Sequence, residues 1–217
     1  MERNRMFWKV YKSLFSIYGP QNWWPAQTPF EVCVGAILTQ NTAWKNVEKA
    51  INNLKEKKLL SPDRLLKVPT EQLEQIISPA GFYRQKARYL INFCKFLEDV
   101  GGLENLKAKE IQELRELLLS VKGIGKETAD SIILYALEKP VFVVDAYTKR
   151  LFKRLGLLNG NENYDQIKVL VENEFNKLGA SVKDYNEFHA LIVVHCKEVC
   201  RKKPLCSDCE LTICPLK

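Results

Sequence analysis

The residues whose types could do chemistry lie in a few short stretches. Asp145 follows an apolar run, Val141 to Val144, and precedes the helical pattern Ala146 to Leu155. A carboxylate in such a place can stabilise positive charge developing on a substrate and can orient or deprotonate water. An unperturbed aspartate has a pKa near ~3.9 and is ionised at neutral pH. The plainer role is the N-cap of the helix that follows, and the two roles are compatible. Just upstream, VKGIGKETAD sets Gly123 and Gly125 around Ile124 between two helix patterns. Two such glycines make a tight turn and let backbone N–H groups approach an anion, to which the next helix adds its partial positive N-terminus. A helix–turn–helix pair without a ligand reads the same way. Lys122 and Lys126 flank the turn and Lys149 follows Asp145; each suits a phosphate or a solvated surface. Glu127, an acid in a first helical turn, suits the helix dipole.

The third stretch closes the chain as CRKKPLCSDCELTICPLK. Cys200, Cys206, Cys209 and Cys214 have five, two and four residues between them. Four thiolates this close in a compact peptide can hold either Zn²⁺ or a cubane iron–sulfur cluster. Cys196 lies one helical turn before Cys200 and reads as a buried thiol. Cys33 and Cys94 stand alone in apolar, helix-like surroundings and read as core residues.

The elements that must position these groups are helices. Met6 to Tyr18, Phe30 to Thr39, Trp44 to Leu54, Gln85 to Asp99, Lys109 to Leu119 and Lys126 to Leu137 all carry helical patterns. So do Ala146 to Leu155, Asn163 to Leu178 and Tyr185 to Val199. Gly101-Gly102 reads as a break. Val141 to Val144 has strand propensity, but a lone strand has no partner, so it reads as an extended connection. The fold class is therefore all-α. A boundary near Lys139-Pro140 divides the chain into 30–139 and 1–29 plus 140–217. The first helix packs back against the C-terminal helices in this scheme. The loop Gln21 to Pro29 carries Trp23 and Trp24, which are either anchored in the body or free to stack on a ligand.

Composition sets the limits. The chain has 217 residues, 33 Lys plus Arg against 26 acids, and a formal charge of +7. That surplus permits a polyanion partner without requiring one. No run of 18 apolar residues is present, which argues against a membrane span. The N-terminal segment is charged and amphipathic and lacks the apolar core of a signal peptide, so we expect a cytoplasmic protein. Seven cysteines, an odd number, in that setting argue for metal ligation over a disulfide scaffold. Nothing in the sequence requires an oligomer, and a monomer is expected.

Together the hairpin VKGIGKETAD, Asp145 in VVDAYTKR and the cysteine tail resemble the endonuclease III branch of the helix–hairpin–helix DNA glycosylase superfamily. More narrowly, NWWP, GAILTQNT, PAGFYRQKA and KGIGKETAD resemble the 3-methyladenine DNA glycosylase III group. The resemblance covers nearly the whole sequence. It implies two helical lobes with a cleft between them, a C-terminal iron–sulfur loop, and double-stranded DNA containing a damaged base as the partner. It implies Asp145 as the catalytic carboxylate and a [4Fe–4S] cluster on the last four cysteines, with zinc as the alternative. Gln40 then fills the gap left by the flipped base, Phe82 wedges into the opposite strand, and Trp23 and Trp24 stack on the base. Gly123, Gly125, Lys122, Lys126 and Lys149 contact phosphate. Two departures stand out. The position of the sugar-attacking lysine of the bifunctional enzymes is Glu127, which here either serves the helix dipole or contacts the base. The position of a modified pocket lysine in the 3-methyladenine group is Leu191. The expected activity is monofunctional removal of an alkylated purine by hydrolysis of its N-glycosidic bond. The competing expectations are a bifunctional glycosylase/AP lyase for oxidised pyrimidines, a uracil or thymine mismatch glycosylase, and a non-enzymatic DNA-binding protein.

Overall fold

The computed structural model describes residues 5–216, and among these residues there are helices and connections but no strand. None of the helices is long and apolar enough to cross a membrane. In chain order they are α1 (Met6–Tyr18), α2 (Pro29–Leu38), α3 (Trp44–Glu56), α4 (Pro62–Lys67), α5 (Thr70–Ile76), α6 (Tyr83–Asp99), α7 (Gly102–Lys107), α8 (Ile111–Ser120), α9 (Lys126–Ser131), α10 (Ala146–Arg154), α11 (Tyr164–Lys177) and α12 (Val182–Glu198). The chain divides into two compact units. One holds residues 26–139; the other joins the described residues up to Pro25 to those from Pro140 onward.

In the 26–139 unit, α2 is the axis, with every residue from Phe30 to Leu38 buried. Pro29 presets its first turn, and the Thr28 hydroxyl accepts the Glu31 N–H at 3.1 Å. Helices α3, α6 and α9 pack on it. Cys33, Ile37, Leu54, Phe93 and Cys94 are fully buried in this core. Truncating an aliphatic residue such as Ile37 to Ala would cost about 2–5 kcal/mol. Burial pushes the Cys33 thiol up, and the Cys94 thiol up to about 12, as befits inert core residues.

Two local features differ from the sequence pattern. Gly101-Gly102 ends α6 but also starts α7 at once. Both glycines are left-handed (φ +77° and +92°), and the Asn105 amide donates back to the Val100 carbonyl at 3.3 Å. The single helix expected from Lys126 to Leu137 is α-helical only to Ser131 and continues through Ile132–Ala136 as a π-helical turn.

The second unit is built on aromatic rings. Phe175 and Phe188 stack at 5.2 Å, and Phe142 and Phe152 at 6.2 Å. Helix α1 lies against α11 and α12, where Glu174 accepts the Trp8 N–H at 2.7 Å. Helix α12 starts at Val182, earlier than the apolar pattern indicates, because Ser181 and Asp184 form a capping box. The buried segment Val141 to Val144 is extended without a strand partner. Its N–H groups find side chains instead: Phe142 N–H donates to Glu172 at 2.8 Å and Val144 N–H to the Tyr164 hydroxyl at 3.4 Å.

The cysteine tail corrects an expectation. Among the described residues no group of three or more His, Cys, Asp or Glu side chains could hold a metal ion. This overturns the [4Fe–4S] cluster expected on Cys200, Cys206, Cys209 and Cys214, the zinc alternative, and the iron–sulfur loop as a part of the fold. The four residues border one apolar recess with Leu151, Val199 and Leu211, but their settings differ. Cys200 is buried and its sulfur accepts from Arg154 at 3.1 Å, Cys206 is exposed on a 3-10 turn, and Cys209 and Cys214 are half-buried. Spacing along a chain limits how far apart thiols can be; it does not make them converge. The tail is ordered by arginine instead. Arg154 donates to the carbonyls of Cys200, Arg201 and Lys202 at 3.1, 2.6 and 3.0 Å.

Candidate functional site

Asp145 is the N-cap of α10, as its place in the sequence suggested. Its Oδ1 accepts the Thr148 N–H at 2.7 Å. Its Oδ2 lies 3.6 Å from His189 Nε2 on α12. The residue is only 9% exposed. Burial by itself would raise its pKa. The neighbouring His189, together with the Thr148 N–H, outweighs that and holds the carboxyl below its ordinary value. The site therefore keeps a buried anion, with one oxygen committed to the helix and the other lying 3.6 Å from a side chain of a different helix.

Helix α12 also fixes the tryptophan loop. The two oxygens of Glu187 accept the Gln21 N–H at 2.7 Å and the Asn22 N–H at 2.8 Å. Trp23 and Trp24 follow directly, half-buried and edge to face at 6.3 Å. Lys197 Nζ lies 5.6 Å from the centre of the Trp23 ring. The Trp23 indole N–H has no acceptor among the described residues. Lys149 is exposed on α10, four residues after Asp145. Leu191 is fully buried and part of the core. Sequence reasoning missed both His189 and Glu187. The available signal was two polar residues inside EFHALIVV, one of them among only two histidines in the chain.

The hairpin belongs to the other unit. Asp130 on α9, fully buried, takes Arg115 of α8 in a two-pronged pair, Nε to Oδ1 at 2.9 Å and Nη2 to Oδ2 at 3.3 Å. This pair joins the two helices, and the buried Ile124 anchors the turn between them. Gly123 has φ +106°, and a Cβ there would sit 2.1 Å from the Tyr89 ring, so no other residue fits. Gly125 is different. Its backbone is extended and a Cβ would meet nothing within 4 Å. The turn thus needs one glycine, not two.

Gln40 does not project from the surface. Its amide donates to the Gly123 carbonyl at 3.0 Å and to the Thr128 hydroxyl at 3.2 Å, so it braces the hairpin. Phe82 is 66% exposed with φ +46°, just before α6. Lys122, Lys126 and Glu127 are all exposed around the turn. A surface cavity of about 410 Å³ beside it is lined by Gln85, Arg88, Tyr89, Asn92 and Lys122.

Residues 34–177 match the model of the HhH-GPD superfamily of base excision DNA repair proteins. A putative DNA repair glycosylase of Methanocaldococcus jannaschii is 53% identical over 216 residues, 97% of each chain. Endonuclease III of Sulfolobus acidocaldarius is 30% identical over 184 residues, 84% of this chain and 79% of that protein. Further curated relatives also carry the name endonuclease III. The crystal structure of H. pylori 3-methyladenine DNA glycosylase (MagIII) bound to 1,N6-ethenoadenine superposes with a TM-score of 0.78 at 33% identity, covering 88% of this chain and 97% of that one. With more than half its length matched by the family model, this chain belongs to the HhH-GPD superfamily of base excision DNA repair proteins and is an enzyme of the DNA glycosylase type.

Proposed function

We propose that this protein is an endonuclease III-type DNA glycosylase that removes a damaged base from double-stranded DNA, with Asp145 as the catalytic carboxylate. The observation that carries the reading is the setting of Asp145, buried yet held ionised by Thr148 and His189. Breaking an N-glycosidic bond leaves positive charge on the deoxyribose. A carboxylate fixed in advance stabilises that charge without reorganising as it forms, and it orients the incoming water. The hairpin backbone near Gly123 and Gly125, with Lys122, Lys126 and Lys149, supplies phosphate contacts. Phe82 wedges into the stack, and Gln40 exchanges its hydrogen bonds to the hairpin for the gap left by the base.

The curated relatives named endonuclease III weigh toward that type over the alkylpurine enzyme expected from the sequence. Glu127, which stands at the lyase position, cannot form a Schiff base, so the product is an intact abasic site. A second reading, an alkylated purine as substrate, draws on the 33% identity with the MagIII structure and on the aromatic pair Trp23 and Trp24. Those rings would favour a cationic base through stacking. Glu127, exposed on the first turn of α9, is then a contact for such a base.

One experiment tests all of this. Duplexes carrying an oxidised pyrimidine, an alkylated purine, or a uracil or thymine mismatch are incubated with the protein, with and without alkali. Alkali-dependent cleavage at an oxidised pyrimidine is expected under the first reading, and at an alkylated purine under the second. Cleavage without alkali, with adducts trapped by borohydride, would overturn the hydrolytic mechanism. No excision from any duplex in single-turnover assays would leave a DNA-binding protein without chemistry.

A further inference from the structure

Lys86 on α6 is 2% exposed and forms no ion pair among the described residues. Its ammonium donates to two backbone carbonyls, Leu38 and Ala80, each at 2.8 Å. Burying a cation against neutral acceptors is costly, and burial draws its pKa down to about 8. An apolar side chain of similar length would avoid burying a charge but would leave both carbonyls without this donor. The contribution of the lysine therefore lies in what it joins.

Leu38 is the last residue of α2, whose final carbonyls have no partners within the helix. Ala80 is the last residue of the short 3-10 turn Ser78–Ala80. Two residues beyond Leu38 comes Gln40; two residues beyond Ala80 comes Phe82. Gly81 and Phe82 are both left-handed, φ +66° and +46°. Phe82 is the N-cap of α6, and its carbonyl accepts the Gln85 and Lys86 N–H groups at 3.0 Å each, so the residue that closes this cap through its backbone also ties the preceding turn to α2 through its ammonium. We propose that Lys86 is a positioning residue, an ammonium cross-brace that sets the spacing between the segments bearing Gln40 and Phe82. The inference rests on the gap-filling and wedging roles given to those two residues above. It goes beyond them by assigning the control of base opening to a buried side chain that never touches DNA.

The test compares wild type with Lys86→Met, which keeps length and loses the charge and both hydrogen bonds. Excision is measured on a fully paired duplex and on the same damaged base held in single-stranded DNA. Lys86→Met is expected to slow excision from the paired duplex by about 10- to 100-fold, the effect of a misplacement of about 1 Å. Excision from the single strand should stay within about 3-fold of wild type, because no stacked base has to be opened there. Equal losses on both substrates, or none on either, would overturn the proposal. If Lys86→Met does not fold, as judged by its thermal transition, Lys86→Gln is measured in the same way. Its amide is uncharged and one bond too short to span both carbonyls, so the brace is lost and the same two outcomes apply. A second readout is independent of chemistry. A 2-aminopurine beside the lesion should brighten when wild type binds and respond less to the variant. Wild type that opens the base but excises nothing defeats the glycosylase reading and leaves the brace standing. Wild type and variant that open and excise alike defeat the brace and leave the glycosylase reading intact.

Discussion

Asp130, inside α9, and Asp145, the N-cap of α10, are both buried aspartates, yet their surroundings assign them different work. Asp130, in the hairpin unit, has both oxygens taken by Arg115 across the gap between α8 and α9. Its charge is neutralised in place, and the pair is a structural link. Asp145, in the other unit, has one oxygen on the Thr148 N–H and the other 3.6 Å from His189, a looser contact than a hydrogen bond. A closed ion pair resists change in charge. A carboxylate held ionised but less tightly engaged can respond to charge that appears beside it.

Substitutions at the two sites should therefore part stability from activity. Asp145→Asn keeps an N-cap of equal quality, so its thermal stability should fall by less than about 1 kcal/mol. Its single-turnover excision should fall by about 10²- to 10⁴-fold. Comparable losses of stability and rate would erase the contrast. Asp130→Ala should do the reverse. Removing one partner of a buried pair costs about 3–5 kcal/mol in denaturant unfolding. Activity per folded molecule should stay near wild type.

A smaller effect sharpens the role of His189. Its folded environment lowers the Asp145 pKa, so the stabilising contribution of that carboxylate is present above its unfolded value of ~3.9 and is lost as pH falls through the lower folded value. His189→Gln removes the largest favourable contribution. The acid limb of the excision profile should move to higher pH, with a rate loss of about 10-fold at neutral pH. An unmoved acid limb would show that His189 merely packs. The smallest effects separate the hairpin glycines. Gly123→Ala meets the Tyr89 ring and a left-handed backbone, and should lose more than about 1 kcal/mol in stability and weaken DNA binding. Gly125→Ala should change stability by less than about 0.5 kcal/mol, read by the same melts.

Much of the fold was legible because helices announce themselves locally. Apolar spacing set most of the helices, and Thr28-Pro29 and Asp145 mark helix starts within three residues of the N–H groups they serve. The misses have equally local causes. Gly101-Gly102 looked like a simple stop, and the capping box at Ser181 extended α12 past its apolar pattern. The cysteine tail shows where such reading fails. Its spacing permits ligation, but Arg154 orders the backbone while the sulfurs keep separate settings.

By itself the sequence determined the all-α class, the hairpin turn, and Asp145 as a carboxylate opening a helix, since each depends on residues a few positions apart. The tertiary structure alone decided what those groups face. His189 reaches Asp145 from 44 positions along the chain, Gln40 reaches the hairpin from 83, and Lys86 reaches Leu38 from 48. These contacts arise when helices pack, and packing is fixed by buried shape and volume summed over a whole core rather than by the spacing of any one motif.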